Sequence, residues 1–199
     1  MPARRFVPCA ALLALLSVPA SAQTLATRAA VLQAEDRRAQ KPADLATIRS
    51  GARSGDGNTA RIGLRALGRL ERPALITDIL PGLRHRLPEV RAEAANAVAQ
   101  AAQGMKAPGA PAYALGPAQT ALITRLGVEA EPSVRAALCE SLGRLPYTSA
   151  ADAARAEQTL TEFAARTTNT ADRLGIAKGL EAFVRLHRRG PQRRQRTCL

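Results

Sequence analysis

Tryptophan is absent, and Phe and Tyr together make up only 3% of the 199 residues. Val and Ile are sparse as well, so the side chains that pleated sheets favour are missing. An all-β fold and an alternating α/β fold are both disfavoured. Three cysteines cannot build a disulfide framework. The two histidines, His85 and His187, stand far apart and neither has a Cys or second His beside it. A zinc site needs clustered ligands. No Gly-x-Ser-x-Gly elbow and no Gly-x4-Gly-Lys-Ser/Thr loop occurs, which removes the α/β-hydrolase and P-loop motifs. No catalytic residue, metal ligand or cofactor is therefore expected. Acid is also in deficit, with 16 Asp and Glu against 29 Lys and Arg, a net +13.

Hydrophobic residues still reach 46%, mostly Ala and Leu, both strong helix formers. That is enough apolar surface to argue against disorder. The expectation is an all-α fold.

Residues 1–22 read as a secretory signal peptide. Arg4 and Arg5 precede a short apolar run over residues 10–18, followed by Pro19, Ala20, Ser21 and Ala22. The run is too short for a membrane anchor, and Cys9 lies ahead of it, badly placed for lipidation. Cleavage is expected after Ala22, with a periplasmic or extracellular destination. Cys139, inside a helical pattern, is expected as a buried thiol; Cys198 is penultimate.

Four twelve-residue segments align without gaps: 59–70, 90–101, 134–145 and 172–183. Their starts lie 31, 44 and 38 residues apart. Positions 5, 8, 9 and 12 are small or apolar throughout except at Ser141, which is one stripe of an α-helix. Small residues at position 8 would let a neighbouring helix approach closely. A second helical stretch precedes each segment, at 42–53, 73–86, 117–130 and 150–167. Pro42, Pro73 and Pro117 open three of these, where a missing N–H costs nothing. One further helix, 24–39 within a region 23–41, should cap the first face. Residues 104–117, rich in Gly and Pro, read as a loop insertion in the array 42–187, and 188–199 as a basic disordered tail. In Ser54-Gly-Asp-Gly-Asn-Thr59, a calcium loop would need a glutamate where Leu67 stands. The expectation is a turn with Asn58 or Thr59 capping the next helix.

Pro88-Glu-Val-Arg followed by Ala-x-x-Ala-Val, and Pro132-Ser-Val-Arg followed by Leu-x-x-Ser-Leu-Gly-Arg-Leu, resemble HEAT repeats of the short bacterial type also found in phycobilisome lyases. The match runs over about 42–188. It is weaker in the first segment, where Ala60 replaces the position-2 Arg, and in the fourth, where Asp172 replaces an apolar residue. The resemblance implies a right-handed α-solenoid of about four helix pairs, with second helices lining the concave side, and it implies binding without chemistry. Position 2 (Arg91, Arg135, Arg173) resembles a structural ladder that bonds acidic or carbonyl groups near the turn; the planar guanidinium fork suits paired hydrogen bonds.

Positions 3, 7 and 11 share one face. Arg61, Arg65, Arg69, Asn96, Gln100, Glu140, Arg144 and Lys178 are the candidate partner-binding residues, and the partner is expected to be a protein or peptide with an acidic surface. Reversal of Arg65 and Arg69 to Glu is expected to weaken such a partner with little effect on stability. The leader carries Arg4 and Arg5 and the tail holds five Arg, so residues 23–187 keep only +6. With so few aromatic platforms and an exported chain, nucleic acid is not the expected partner. Leu180 and Phe183 want cover beyond the fourth segment. That suggests a second reading, the amino-terminal HEAT arm of a secreted cyclophilin-like prolyl isomerase whose catalytic domain is absent.

Overall fold

The computed structural model describes residues 20–106 and 115–187, and every regular element among them is helical. In chain order these are α1 (Ala20–Asp36), α2 (Pro42–Ala52), α3 (Gly57–Arg69), α4 (Ile76–Ile79), α5 (Pro88–Ala101), α6 (Leu115–Val128), α7 (Pro132–Arg144), α8 (Ala150–Arg166) and α9 (Thr170–His187). None is long and apolar enough to cross a membrane. Helix α1 runs through the expected cut after Ala22, a stretch of helix-favouring Ala residues. Residues 1–19 of the expected leader, the tail 188–199 with Cys198, and 107–114 of the expected insertion lie outside the described residues.

The four aligned segments fall within α3, α5, α7 and α9 and their C-caps, and these helices pack in series, α3 on α5, α5 on α7, α7 on α9. Their apolar stripe is buried except at half-buried Leu180. The outer helices α2, α6 and α8 lie against it, and α1 packs on both α2 and α3. A single apolar cluster, running from Val31 to Phe183, joins all of them.

The inner helices meet through position 10, which the sequence pattern did not single out. Gly68 of α3 sits on Ala97 of α5, where a Cβ would come within 2.9 Å of the Ala97 Cα. Gly143 of α7 sits on Gly179 of α9, and a Cβ at Gly143 would run into the Gly179 carbonyl. Position 10 of α5 is Ala99, fully buried. Small residues at positions 8 and 10 thus set the close approach of successive helices. In α9 position 10 is exposed Glu181, paired with Arg185 at 3.8 Å.

Three local expectations are corrected. The stretch 73–86 is a broken helix: a 3-10 turn Pro73–Leu75, then α4, then a second 3-10 turn Leu80–Arg84. Pro81 falls in its middle, with no N–H to continue the ladder and a ring that clashes with the preceding turn. The cap of α3 is Asp56, not Asn58 or Thr59: its carboxylate accepts from the Thr59 N–H at 2.8 Å and the Thr59 hydroxyl at 2.7 Å. Thr59 and Arg28 hydrogen bonds hold the Asp56 carboxyl at about 2. Asp56→Ala should lower the melting temperature by a few degrees while Asn58→Ala barely moves it, read by circular dichroism. Equal shifts would reject Asp56 as the cap. A 3-10 turn, Ala102–Lys106, runs into the start of the expected insertion, and α6 already begins at Leu115 before its end.

Phe183 finds cover within the fourth unit, while Leu180 stays half-buried and Val184 exposed. Phe183 is buried against Tyr147 and His187, with ring centroids 6.5 Å and 4.7 Å away, and the His187 ring meets the Leu145 carbonyl at 3.0 Å.

Candidate functional site

Each position-2 arginine turns back to the joint before its own helix. Arg91 donates Nη1–H to the His85 and Arg86 carbonyls, both at 3.0 Å. Arg135 donates likewise to Glu129 and Ala130 at 3.2 and 2.6 Å, and Arg173 donates Nε–H to Thr167 at 3.3 Å. Two of them also reach forward one unit. Arg91 makes a fork on Glu129, with Nε–Oε2 and Nη2–Oε1 both 2.8 Å. Arg135 makes the same fork on Asp172, with contacts of 2.9 to 3.2 Å. Planar guanidinium against planar carboxylate gives two parallel charge-assisted bonds. Asp172, the departure from pattern in the fourth segment, is therefore an acceptor; the Thr167 hydroxyl at 2.8 Å completes it.

Glu129 is the most heavily used acid. Its side chain is 0% exposed and also takes Arg125 at 2.6 Å and the Glu131 N–H at 3.0 Å. Burial opposes its charge, but the hydrogen bonds from Arg91, the Glu131 backbone and Arg125 outweigh that and hold it at about 2. Where Ala60 leaves the ladder without an arginine, Arg49 and Arg53 of α2 and its C-cap pair instead with Asp78 of α4 at 2.8 and 3.2 Å. Sequence reading missed Glu129, Asp78 and Glu35. Each is an ordinary acid until the fold brings an arginine from another unit to it.

The position 3, 7 and 11 column is accessible along α3, α5, α7 and α9, except that Ala182 is buried. Arg65 and Arg69 are exposed but engaged. Arg65 pairs with Glu93 at 3.2 Å and Arg69 with Glu35 at 2.9 Å, both acids mostly buried. Reversing these arginines would set like charges against acids that water reaches poorly, so the expectation of unchanged stability does not survive. Half-buried Glu140 faces Arg144 at 3.6 Å and Lys178 at 3.9 Å. Half-buried Asn96 and Gln100 supply neutral amides between the two charged ends. Arg61 differs from its neighbours: among the described residues no ion pair holds it, and its buried Nε has no hydrogen-bond partner.

Other reactive groups are muted. Burial pushes the Cys139 thiol up to about 12, which keeps it from forming a thiolate. Among the described residues, no three His, Cys, Asp or Glu side chains are grouped to hold a metal ion. A cleft of about 490 Å³ between α6 and α8 is lined by Glu129, Arg135 and Asp172, but all three are already spent on the ladder. No protein-family model matches the chain and no curated protein matches it in sequence; its reading rests on its own residues and their geometry.

Proposed function

We propose that the chain is a non-catalytic, exported HEAT-like scaffold. Its helix pairs form a right-handed α-solenoid, and its concave face, the position 3, 7 and 11 column, binds a protein or peptide. The observation that carries this reading is the column itself. Four helices in series keep these positions, Ala182 excepted, partly or fully open to solvent, while the apolar stripe beside them is buried against neighbouring helices. The guanidinium-to-carboxylate forks that join successive units support the array reading, because they explain the position-2 arginines without a ligand. Export is supported by the order of charged, apolar and small residues in 1–22.

The internal ion pairs refine the partner. Most basic groups of the column already have an acid, so its free positive charge is concentrated at Arg61 and at loosely held Lys178. A partner offering a few acidic groups among amides fits better than a densely anionic one. Immobilised chain should retain such a protein from the exported fraction, and a double variant Arg61→Gln and Lys178→Gln, unchanged in melting temperature, should release it. Equal retention by both would reject the concave face as the contact. Turnover in a prolyl isomerase assay would reject the non-catalytic reading.

A further inference from the structure

On the outer side of the array, the 3-10 turn Leu80–Arg84 and α6 leave a groove of about 680 Å³ between them. Its walls are Leu80, Leu83, Pro117, Ala121 and the aliphatic lip Val128. Val128 is 71% exposed, more than any other large apolar side chain among the described residues. The volume lies within the range of about 300–1,000 Å³ common for small-molecule sites. Among the described residues no aromatic ring lines the groove.

The polar groups on its edge are few, and all but Arg125 are unspent among the described residues. Arg84 is exposed and neither its guanidinium nor the hydroxyls of Thr120 and Thr124 bond to any described residue. The other cation, Arg125, is held by Glu129 through Nε at 2.8 Å and Nη2 at 2.6 Å. One free guanidinium beside an aliphatic trough matches one negative charge on an aliphatic body. We propose that this groove binds an amphipathic monocarboxylate, with its alkyl chain along Leu80, Leu83, Ala121 and Val128 and its carboxylate on Arg84. The bidentate fit of guanidinium to carboxylate supplies the polar anchor, and burial of the alkyl chain supplies most of the driving force. None of these residues belongs to the concave column, so this site stands or falls independently of the proposed scaffold role.

The test uses the full chain and a dansyl-labelled long-chain fatty acid, displaced in turn by laurate, methyl laurate and laurylamine. The expected result is saturable binding with one site per chain. Laurate should displace the probe about tenfold better than its ester or the amine, a difference of about 1.4 kcal/mol. Arg84→Glu and Val128→Glu, both at exposed positions, should each weaken the probe about tenfold or more with unchanged helicity. Three results would overturn the site: no saturation, equal displacement by all three competitors, or variants that bind like the wild type.

Discussion

Glu129→Ala should destabilise the protein by about 3–5 kcal/mol, the usual cost of removing one partner from a buried ion pair. The carboxylate is fully buried and receives Arg91, Arg125 and the Glu131 N–H. Its loss strands two guanidiniums that are mostly shielded from water, 12% and 22% exposed. It also breaks the fork between the second and third units. Arg91 keeps its two carbonyl contacts, which places the effect toward the lower end. Denaturant unfolding measures it, and a loss below about 1 kcal/mol would show that the ladder contributes little beyond a surface pair.

The same group sets a pH dependence. Its folded carboxyl titrates at about 2 against an ordinary 4.5. Between those values the unfolded chain takes up a proton that the folded chain refuses, so acid favours unfolding. The stability contribution is present above about pH 4.5 and is lost as pH falls toward 2. Asp56, also held at about 2 against an ordinary 3.8, adds its loss over the lower part of that range. Glu129→Gln should therefore be less stable than wild type at neutral pH, and the gap should narrow as pH falls through this window. A gap independent of pH would mean that the variant reports lost packing, not lost charge.

Leu142→Ala should cost about 2–5 kcal/mol through the lost burial and the cavity left behind. Leu142 is fully buried at position 9 of α7, and its carbonyl accepts from the Tyr147 hydroxyl at 2.9 Å. The site has little freedom to collapse. On one side α7 already meets α9 backbone to backbone at Gly143 and Gly179, so the helices cannot move closer to fill the space. Thermal and denaturant unfolding test this. A loss under about 1 kcal/mol would mean that the stripe does not face the core.

The residues that made the fold legible act locally. Gly63, Ala66, Leu67 and Leu70, and their counterparts in the other three segments, recur at helical spacing, and a 3.6-residue period announces a buried face without any knowledge of what lies against it. Pro42, Pro88 and Pro132 mark helix starts for an equally local reason, the N–H they lack. Pro81 is an equally local signal, and the expectation of one helical stretch over 73–86 passed it over. The Asp56 cap was misread as Asn58 or Thr59 although its signal is local too: Asp is a strong N-cap and accepts the N–H three residues on.

The candidate site was less legible. Arg61, Arg65 and Arg69 could be placed on one face by counting, but not whether each arginine was free. That depended on Glu93 from α5 and Glu35 from α1. Electrostatic pairing falls off within a few ångströms, and sequence separation says nothing about such distances.

What the amino-acid order determined by itself is the helical class, the buried stripe of each inner helix and the joints between them, because these follow from bonds and rotamers within a few residues. Tertiary structure alone decided which acid meets which arginine, 37 and 38 residues apart for Arg135 with Asp172 and Arg91 with Glu129. It also decided that position 10 must be small in α3 and α7 but can be Glu in α9. Both depend on what a neighbouring helix brings into contact, and that is a property of packing between distant segments.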